Sequence, residues 1–218
     1  QAEGAARIVV SSKFTKADLK STLKIPEEKI SVIYHGRDQT YRRLNPDDQK
    51  LRTFRAKHRL NFPFILYLGT LEPRKNITAI IKAFNLLKRE SQFQNLRLLI
   101  AGRPGWLYRE ILKEAENSPS RGQIIFWGPV ENQDKIFLYN LTEVFVYPSF
   151  FEGFGFPPLE AQACGTPVVI ADRTALPEIV GNSGLTVNPW RIDELGEAIK
   201  LLLQDRELSI ELGERGVR

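Results

Sequence analysis

Five short apolar segments, each ending at a glycine or a small polar residue, constrain the fold more than any other feature of this sequence. They are FILYLG (64–69), RLLIAG (97–102), QIIFWG (123–128), VFVYPS (144–149) and PVVIAD (167–172). Each is continuously apolar rather than alternating, which is typical of strands buried on both faces in a parallel sheet.

Segments with helical periodicity lie between and after these strands. A first apolar stripe runs from Ile77 to Leu87 and another from Ile192 to Leu203, and residues 107–116 and 132–141 are further predicted helices. Strands alternating with helices at this spacing predict an α/β fold: a Rossmann-like, doubly wound parallel sheet flanked by helices.

The first 60 residues follow a different pattern. RIVVSS (7–12) and KISVIYHG (29–36) are candidate strands around a helix over 14–23, which Thr15 or a nearby residue would cap. Residues 45–60 form a predicted charged helix with Asn45 or Asp47 near its start. We assign residues 1–40 to the end of a preceding domain and a linker, and residues 41–218 to the main domain. Since the chain begins at Gln1 and contains no methionine, we expect an internal fragment.

Composition excludes several classes of function. The one cysteine, Cys164, cannot form an internal disulfide, and with only two histidines the chain cannot build a common zinc site. No apolar run approaches the roughly 20 residues of a membrane helix. The net charge of +5 favours anionic partners, either a phosphate-bearing small molecule or an anionic membrane surface. Nucleic acid is not predicted, because no basic run or nucleic-acid motif occurs.

Ligands of open parallel sheets bind beyond the carboxyl ends of the strands, so the loops there are the candidate site. The loop GTLEPRKN (69–76) puts Arg74 and Lys75 directly before a helix that should start near Asn76. A helix N-terminus attracts phosphate, and two cations would strengthen the attraction. The alternative is that both side chains are solvated surface charges.

A second loop, FFEGFGFPPLEA (150–161), leads into a helix that should begin near Pro157 or Pro158. Its glycines allow a ligand to approach the backbone closely. Glu152 lies on the strand side and Glu160 in about the first helical turn. Carboxylates repel phosphate but accept hydrogen bonds from sugar hydroxyls. The pattern suggests phosphate on the loop amides with a hydroxylated ring on each side, as in a sugar nucleotide; the alternative is that both glutamates are ordinary surface charges.

These two loops together resemble a known family. GTLEPRKN paired with EGFGFPPLEAQACGTPVV is similar to the retaining nucleotide-sugar glycosyltransferases of the GT-B fold, the "group 1" family, which includes many bacterial mannosyl- and glucosyltransferases. VSSKFTKADL, VIYHG and LPEIVGNSGLTVNP are similar to that family as well. The resemblance implies that the chain is the C-terminal, donor-binding half and that residues 1–40 end the acceptor domain.

The resemblance also implies roles. Glu160 would hold ribose hydroxyls. The catalytic residues would be Glu152, Arg74 and Lys75: Glu152 would contact the transferred sugar, and the two cations would hold the diphosphate. Glu152 is expected to bind sugar rather than act as a covalent nucleophile, with retention by same-face attack assisted by the donor phosphate. The further predicted substrate-binding residues are Gly153, Phe154, Gly155, Phe156, Leu159, Gly69, Thr70, Arg103, Val130 and Lys135.

Two of these assignments have particular reasons. The loop 128–135 would border the base through the backbone near Val130. Many members of the family carry arginine at the position of Thr70. Arg74 would replace that arginine only partly.

The expected activity is that of a retaining hexosyltransferase of polysaccharide biosynthesis. GDP-mannose is favoured modestly over a UDP-sugar as donor, the acceptor would be a sugar or a lipid-linked sugar, and the fragment alone should be inactive or weak. No cofactor and no metal are expected, because no D-x-D motif occurs. The expected location is the cytoplasm, with peripheral association of the full-length protein at the inner membrane face left open. Two alternatives also stay open: a non-catalytic nucleotide-sugar-binding module and a sugar-nucleotide epimerase of related fold.

Overall fold

The computed structural model describes residues 4–218 and contains eight strands there. In chain order the strands are β1 (Ile8–Val10), β2 (Ile30–Val32), β3 (Phe64–Leu68), β4 (Arg97–Ala101), β5 (Ile124–Gly128), β6 (Val144–Tyr147), β7 (Val168–Ala171) and β8 (Gly184–Val187). The first two form a separate parallel pair, and the other six form one parallel sheet in the order β5-β4-β3-β6-β7-β8. All five apolar segments are therefore strands, as predicted.

The sheet reverses its winding between β3 and β6. Leu66 of β3 is in register with Leu99 of β4 on one side and with Phe145 of β6 on the other. All of these side chains are fully buried, which explains why the strands are apolar throughout. The loops after β3 and β6 leave the sheet side by side at the switch point, where open α/β sheets bind their ligands.

Nine helices complete the described part of the chain. They are α1 (Lys13–Leu23), α2 (Gln49–Lys57), α3 (Ile77–Leu87), α4 (Tyr108–Glu116), α5 (Asn132–Leu141), α6 (Phe156–Ala163), α7 (Leu176–Val180), α8 (Ile192–Gln204) and α9 (Arg206–Val217). Two groups cover the sheet: α3 packs against α4 and α8, whereas α5 packs against α2 and α6. The doubly wound α/β fold is thus confirmed. Within residues 4–218, none of the helices is both long and apolar enough to cross a bilayer.

The β1-α1-β2 unit has its own small core and is attached to the main domain by polar contacts and by the packing of Phe14 on Phe151. Val10, Ile25 and Ile30 form that core, whereas the buried residues of the main core all lie between Tyr41 and Leu212. A carboxylate of α7 caps α1 from across the molecule, because Glu178 accepts the backbone N–H groups of Lys13 at 2.8 Å and Phe14 at 3.2 Å. The N-terminal unit is therefore held against the carboxyl edge of the sheet.

Several local predictions need correction. The cap of α1 is Ser12, a residue near Thr15 as the prediction allowed. The charged helix begins later than predicted, at Gln49, because the Asp48 side chain accepts the N–H groups of Lys50 and Leu51. The strand β8 and the short helix α7 were not predicted, since GLTV is a half-buried edge strand with little apolar signal and α7 has only five residues. The edge strand adds a sixth carboxyl-end loop to the site.

Candidate active site

The loops after β3 and β6 are joined by backbone and side-chain hydrogen bonds, as the sheet rule predicts. The carbonyl of Arg74 accepts the Phe150 N–H at 2.9 Å and the Ser149 hydroxyl at 3.1 Å. The Asn76 amide donates to the carbonyls of Pro148 at 3.2 Å and Pro189 at 2.7 Å, which brings in the loop after β8. Three carboxyl-end loops therefore form one surface, and α3 begins at its edge as predicted.

A buried ion pair lies at the centre of this surface. Lys75 Nζ is 2.5 Å from Glu152 Oε1 and donates to the Tyr147 hydroxyl at 2.8 Å. The Lys75 side chain is 8% exposed and that of Glu152 is 10% exposed. Neither group is a solvated surface charge, so the surface-charge alternative is wrong for Lys75 and Glu152.

Arg74 adds a second cation to the same carboxylate. Its guanidinium is 3.1 Å from Glu152 Oε2 and 2.6 Å from Glu72 Oε1, and it also donates to the Phe151 carbonyl. Both oxygens of Glu152 are thus ion-paired. The sequence indicated Arg74, Lys75 and Glu152 but not Glu72 and Tyr147, which complete the cluster.

The pKa of Glu152 reflects two opposing effects. Burial alone would raise it, but the positive charge of Lys75 and the hydrogen bond from its ammonium outweigh burial and lower the pKa below the ordinary glutamate value. Glu152 is therefore ionised at neutral pH and can accept hydrogen bonds but cannot donate one. Burial lowers the pKa of Lys75, and the negative charge of Glu152 opposes that fall.

Glu160 lies in a different environment, beside a cavity of about 520 Å³. Its Oε2 accepts the hydroxyl of Tyr139 from α5 at 2.8 Å. Burial raises the pKa of Glu160, whereas the Tyr139 hydrogen bond and the charge of Lys135 oppose the rise. The cavity wall consists of Gly36, Arg37, Asp38, Thr40, Tyr41, Asn132, Gln133, Lys135, Phe156, Leu159 and Glu160.

The glycine-rich loop connects the two glutamates. Gly155 has φ of +116°, and a Cβ there would lie 2.7 Å from Leu176 Cδ2. The backbone conformation and the packing against Leu176 therefore both require glycine at this position. Among residues 4–218, no acceptor takes the backbone N–H groups of 153–156. Pro157 and Pro158 follow in α6 and have no N–H. Four unpaired N–H groups in succession can bind an anion.

The carbonyl of the same loop faces the N-terminal unit. Gly153 O accepts the hydroxyls of Ser12 at 2.8 Å, Ser11 at 3.3 Å and Thr15 at 3.3 Å. Phe154 is buried, and its ring meets His35 with ring centroids 5.0 Å apart. The loop is therefore held in place from outside the main sheet.

The other predicted residues lie around this centre rather than in it. Gly69 donates its N–H to the Ala101 carbonyl, and the exposed Thr70 accepts the Tyr67 hydroxyl on its carbonyl at 2.8 Å. Arg103 is exposed and meets the loop through its backbone, since its carbonyl accepts the Leu71 N–H.

Val130 is half-buried against the main core. Neither Arg103 nor Val130 belongs to the Glu152 cluster or to the wall of the Glu160 cavity, so their contact with a nucleotide stays a prediction.

Sequence reasoning missed the part of the cavity wall that comes from residues 36–41, which it had placed mostly in the linker. It also missed Tyr139, the hydrogen-bond partner of Glu160. The charged pair in YHGRD, Arg37 and Asp38, was the available signal. In residues 4–218, no three histidine, cysteine or acidic side chains cluster as metal ligands would.

Comparison with known proteins gives a family and a fold. The family model described as glycosyl transferases group 1 matches residues 49–218. O-antigen chain mannosyltransferase B of Escherichia coli is 34% identical over 204 residues, which cover 93% of this chain and 53% of the relative. Serotype-specific mannosyltransferase WbdA of Escherichia coli is 36% identical over 191 residues, covering 86% of this chain and 23% of the relative.

A solved structure shares the architecture. Sucrose-phosphate synthase from Thermosynechococcus elongatus superposes with a TM-score of 0.84 at 25% identity, covering 99% of this chain and 53% of that one. This chain therefore spans about half the length, or less, of the relatives that it matches.

Proposed function

The chain belongs to the glycosyl transferases group 1 family, and we propose that it binds the nucleotide-diphosphate sugar donor of a mannosyltransferase-like enzyme. The observation that carries the proposal is the arrangement of Glu152 before the glycine-rich loop and Glu160 in α6 after it, with four N–H groups between them that have no acceptor among the described residues. A sugar nucleotide has the matching order of hydroxyls, diphosphate and hydroxyls.

The nucleoside would occupy the cavity beside Glu160. The Glu160 carboxylate accepts the Tyr139 hydroxyl on Oε2 and lines this cavity, where it would accept ribose hydroxyls. The cavity volume of about 520 Å³ is within the usual range of small-molecule sites. Lys135 and Leu159 line this cavity and would contact the nucleotide there. The choice between guanine and uracil stays a proposal.

The diphosphate would lie on the N–H groups of 153–156, beside Arg74 and Lys75. Glu152 would accept hydroxyls of the transferred sugar. We favour GDP-mannose as the donor because the two relatives described above are mannosyltransferases. A sugar or lipid-linked sugar would be the acceptor, and no metal would be required because basic side chains supply the positive charge.

Retention would follow from same-face attack assisted by the donor phosphate. Glu152 is a poor candidate for a covalent nucleophile, because Lys75 and Arg74 pair with both of its oxygens. A carboxylate held in this way is suited to orient sugar hydroxyls and to balance the cations.

We also propose that this chain alone transfers sugar weakly or not at all, because the acceptor would be bound by the other half of a two-domain enzyme. A radiolabelled donor incubated with the chain and a mannose-terminated acceptor should give little product. Turnover at the rate of a complete family member would contradict this part of the proposal.

The ribose assignment is tested by comparing a nucleoside diphosphate with its 2′-deoxy analogue in calorimetric titrations. The wild-type chain should bind the deoxy analogue about 10-fold more weakly, since a charge-assisted hydrogen bond is lost. Glu160→Ala should bind both forms equally weakly, whereas Glu211→Ala, at an exposed ion pair of α9, should behave as wild type. Equal discrimination by wild type and Glu160→Ala would overturn the ribose assignment.

A further inference from the structure

The cations expected to hold the diphosphate are already neutralised by carboxylates. Arg74 pairs with Glu72 and Glu152, and Lys75 pairs with Glu152. Two positive and two negative groups leave this cluster with no net charge. A neutral cluster offers a diphosphate no net electrostatic attraction. The diphosphate would therefore be held by the loop amides alone, or by the amides together with a further positive group.

One guanidinium at the same edge of the sheet has no carboxylate partner among residues 4–218. Arg173 follows β7 and forms no ion pair there, not even with its neighbour Asp172. Its Nε is fully buried and donates to no acceptor. A buried donor left without a partner is unfavourable, and the terminal nitrogens of the same guanidinium, which form no hydrogen bond in the described part of the chain either but are not fully buried, are the atoms that a ligand could reach.

Aromatic packing holds this guanidinium in place. Its carbon lies 4.2 Å from the centroid of the Trp190 ring, in the loop after β8. The Trp190 ring meets Phe150 with centroids 5.5 Å apart, and Phe150 donates its N–H to the carbonyl of Arg74. A cation stacked in this way keeps its charge and its in-plane donors free for an anion.

The backbone connects Arg173 to the Glu152 cluster directly. The next residue, Thr174, accepts the Glu152 N–H on its hydroxyl at 3.2 Å, and Ala175 donates its N–H to the Glu152 carbonyl at 3.3 Å. On the other side, the Asn76 amide holds the Pro189 carbonyl, one residue before Trp190. The residues next to Arg173 and next to Trp190 are thus hydrogen-bonded to the loops after β6 and β3, which flank the proposed diphosphate position.

We propose that Arg173 is a donor-binding residue that contacts the sugar-side phosphate of the nucleotide diphosphate, with Trp190 holding its guanidinium in position. This inference rests on the proposed function. Its ligand class is a nucleoside diphosphate or its sugar ester, and a nucleoside monophosphate lacks the phosphate that it would contact.

The test compares mono- and diphosphates of the base that the chain binds: GMP with GDP, or UMP with UDP. Calorimetric titrations are made on wild type, Arg173→Gln, Arg173→Lys and Arg89→Gln. Arg89 is an exposed arginine just beyond the end of α3, so its variant removes the same charge away from the loop surface. Thermal unfolding checks that each variant is folded.

Arg173→Gln should weaken diphosphate binding about 10- to 100-fold and leave monophosphate binding within about twofold, because one charge-assisted contact is lost. Arg173→Lys should recover part of the loss, and Arg89→Gln should match wild type. A purely structural role would weaken both nucleotides alike, and this outcome would overturn the inference.

Unchanged diphosphate binding by Arg173→Gln would also overturn it while the proposed function stands. Absence of any nucleotide binding by the wild-type chain would overturn both.

Discussion

Replacing Glu152 with glutamine should destabilise the chain strongly, because Lys75 would stay buried without the carboxylate that stabilises its charged form. The Lys75 side chain is 8% exposed, and its ammonium would retain only the Tyr147 hydroxyl and ring among its contacts in the cluster. Removing one partner of a buried ion pair typically costs 3–5 kcal/mol. Glutamine can still accept a hydrogen bond, so we expect the lower end, about 3 kcal/mol.

For a domain of this size the change corresponds to a fall of roughly 6–12 °C in Tm. Urea unfolding followed by circular dichroism measures the free energy directly. The matched control is Glu211→Gln, which removes an exposed carboxylate from an ion pair with Arg215 and should change the free energy of unfolding by less than about 1 kcal/mol.

A double variant separates loss of the pair from loss of the glutamate side chain. Lys75→Met with Glu152→Gln removes both charges, so it should be less destabilised than the sum of the two single changes. A Glu152→Gln variant within about 0.5 kcal/mol of wild type would refute the reasoning, since it would mean that Lys75 loses its carboxylate without a desolvation cost.

Three further predictions follow from the same contacts. Tyr139→Phe should lower the free energy of unfolding by only about 1 kcal/mol but weaken nucleotide binding several-fold, because Glu160 loses the hydroxyl that orients it; calorimetry and urea unfolding on the same sample separate the two effects. Gly155→Ala should cost about 2 kcal/mol or more, since alanine is strained at this positive φ and its Cβ would contact Leu176, and an unchanged Tm would contradict this. The pKa of Glu152 is lowered in the folded state, so its stabilisation is complete above the unfolded value of about 4.3 and is lost as pH falls through the folded pKa. Wild type should therefore lose more stability on acidification than Glu152→Gln, and parallel pH profiles would refute the assignment.

The sequence predicted the sheet and the convergence of the loops after β3 and β6 well because both depend on local patterns. Strands buried on both faces are apolar throughout, and parallel strands bring their carboxyl-end loops together. This is enough to place the loops of Arg74, Lys75 and Glu152 at one edge of the sheet, but it does not predict the ion pairs between these residues. The edge strand β8 lacks the continuous apolar pattern, because most of its residues are only partly buried or exposed.

The partners that complete the site could not be predicted, because they depend on contacts between distant segments. Tyr139 reaches Glu160 from another helix, and Glu178 caps α1 from a position 165 residues away. The stacking of Arg173 on Trp190 joins loops after two different strands. Nothing in the local spacing of these residues indicates that they meet.

Calorimetric titration shows directly whether this chain binds a nucleotide sugar through Glu160. GDP, UDP, GDP-mannose and UDP-glucose are titrated without metal into wild type and into Glu160→Ala. We expect selective binding of one base, with GDP and GDP-mannose favoured, and loss of at least about 10-fold in affinity in the variant. Absence of binding to all four ligands, or equal binding by the variant, would contradict this expectation.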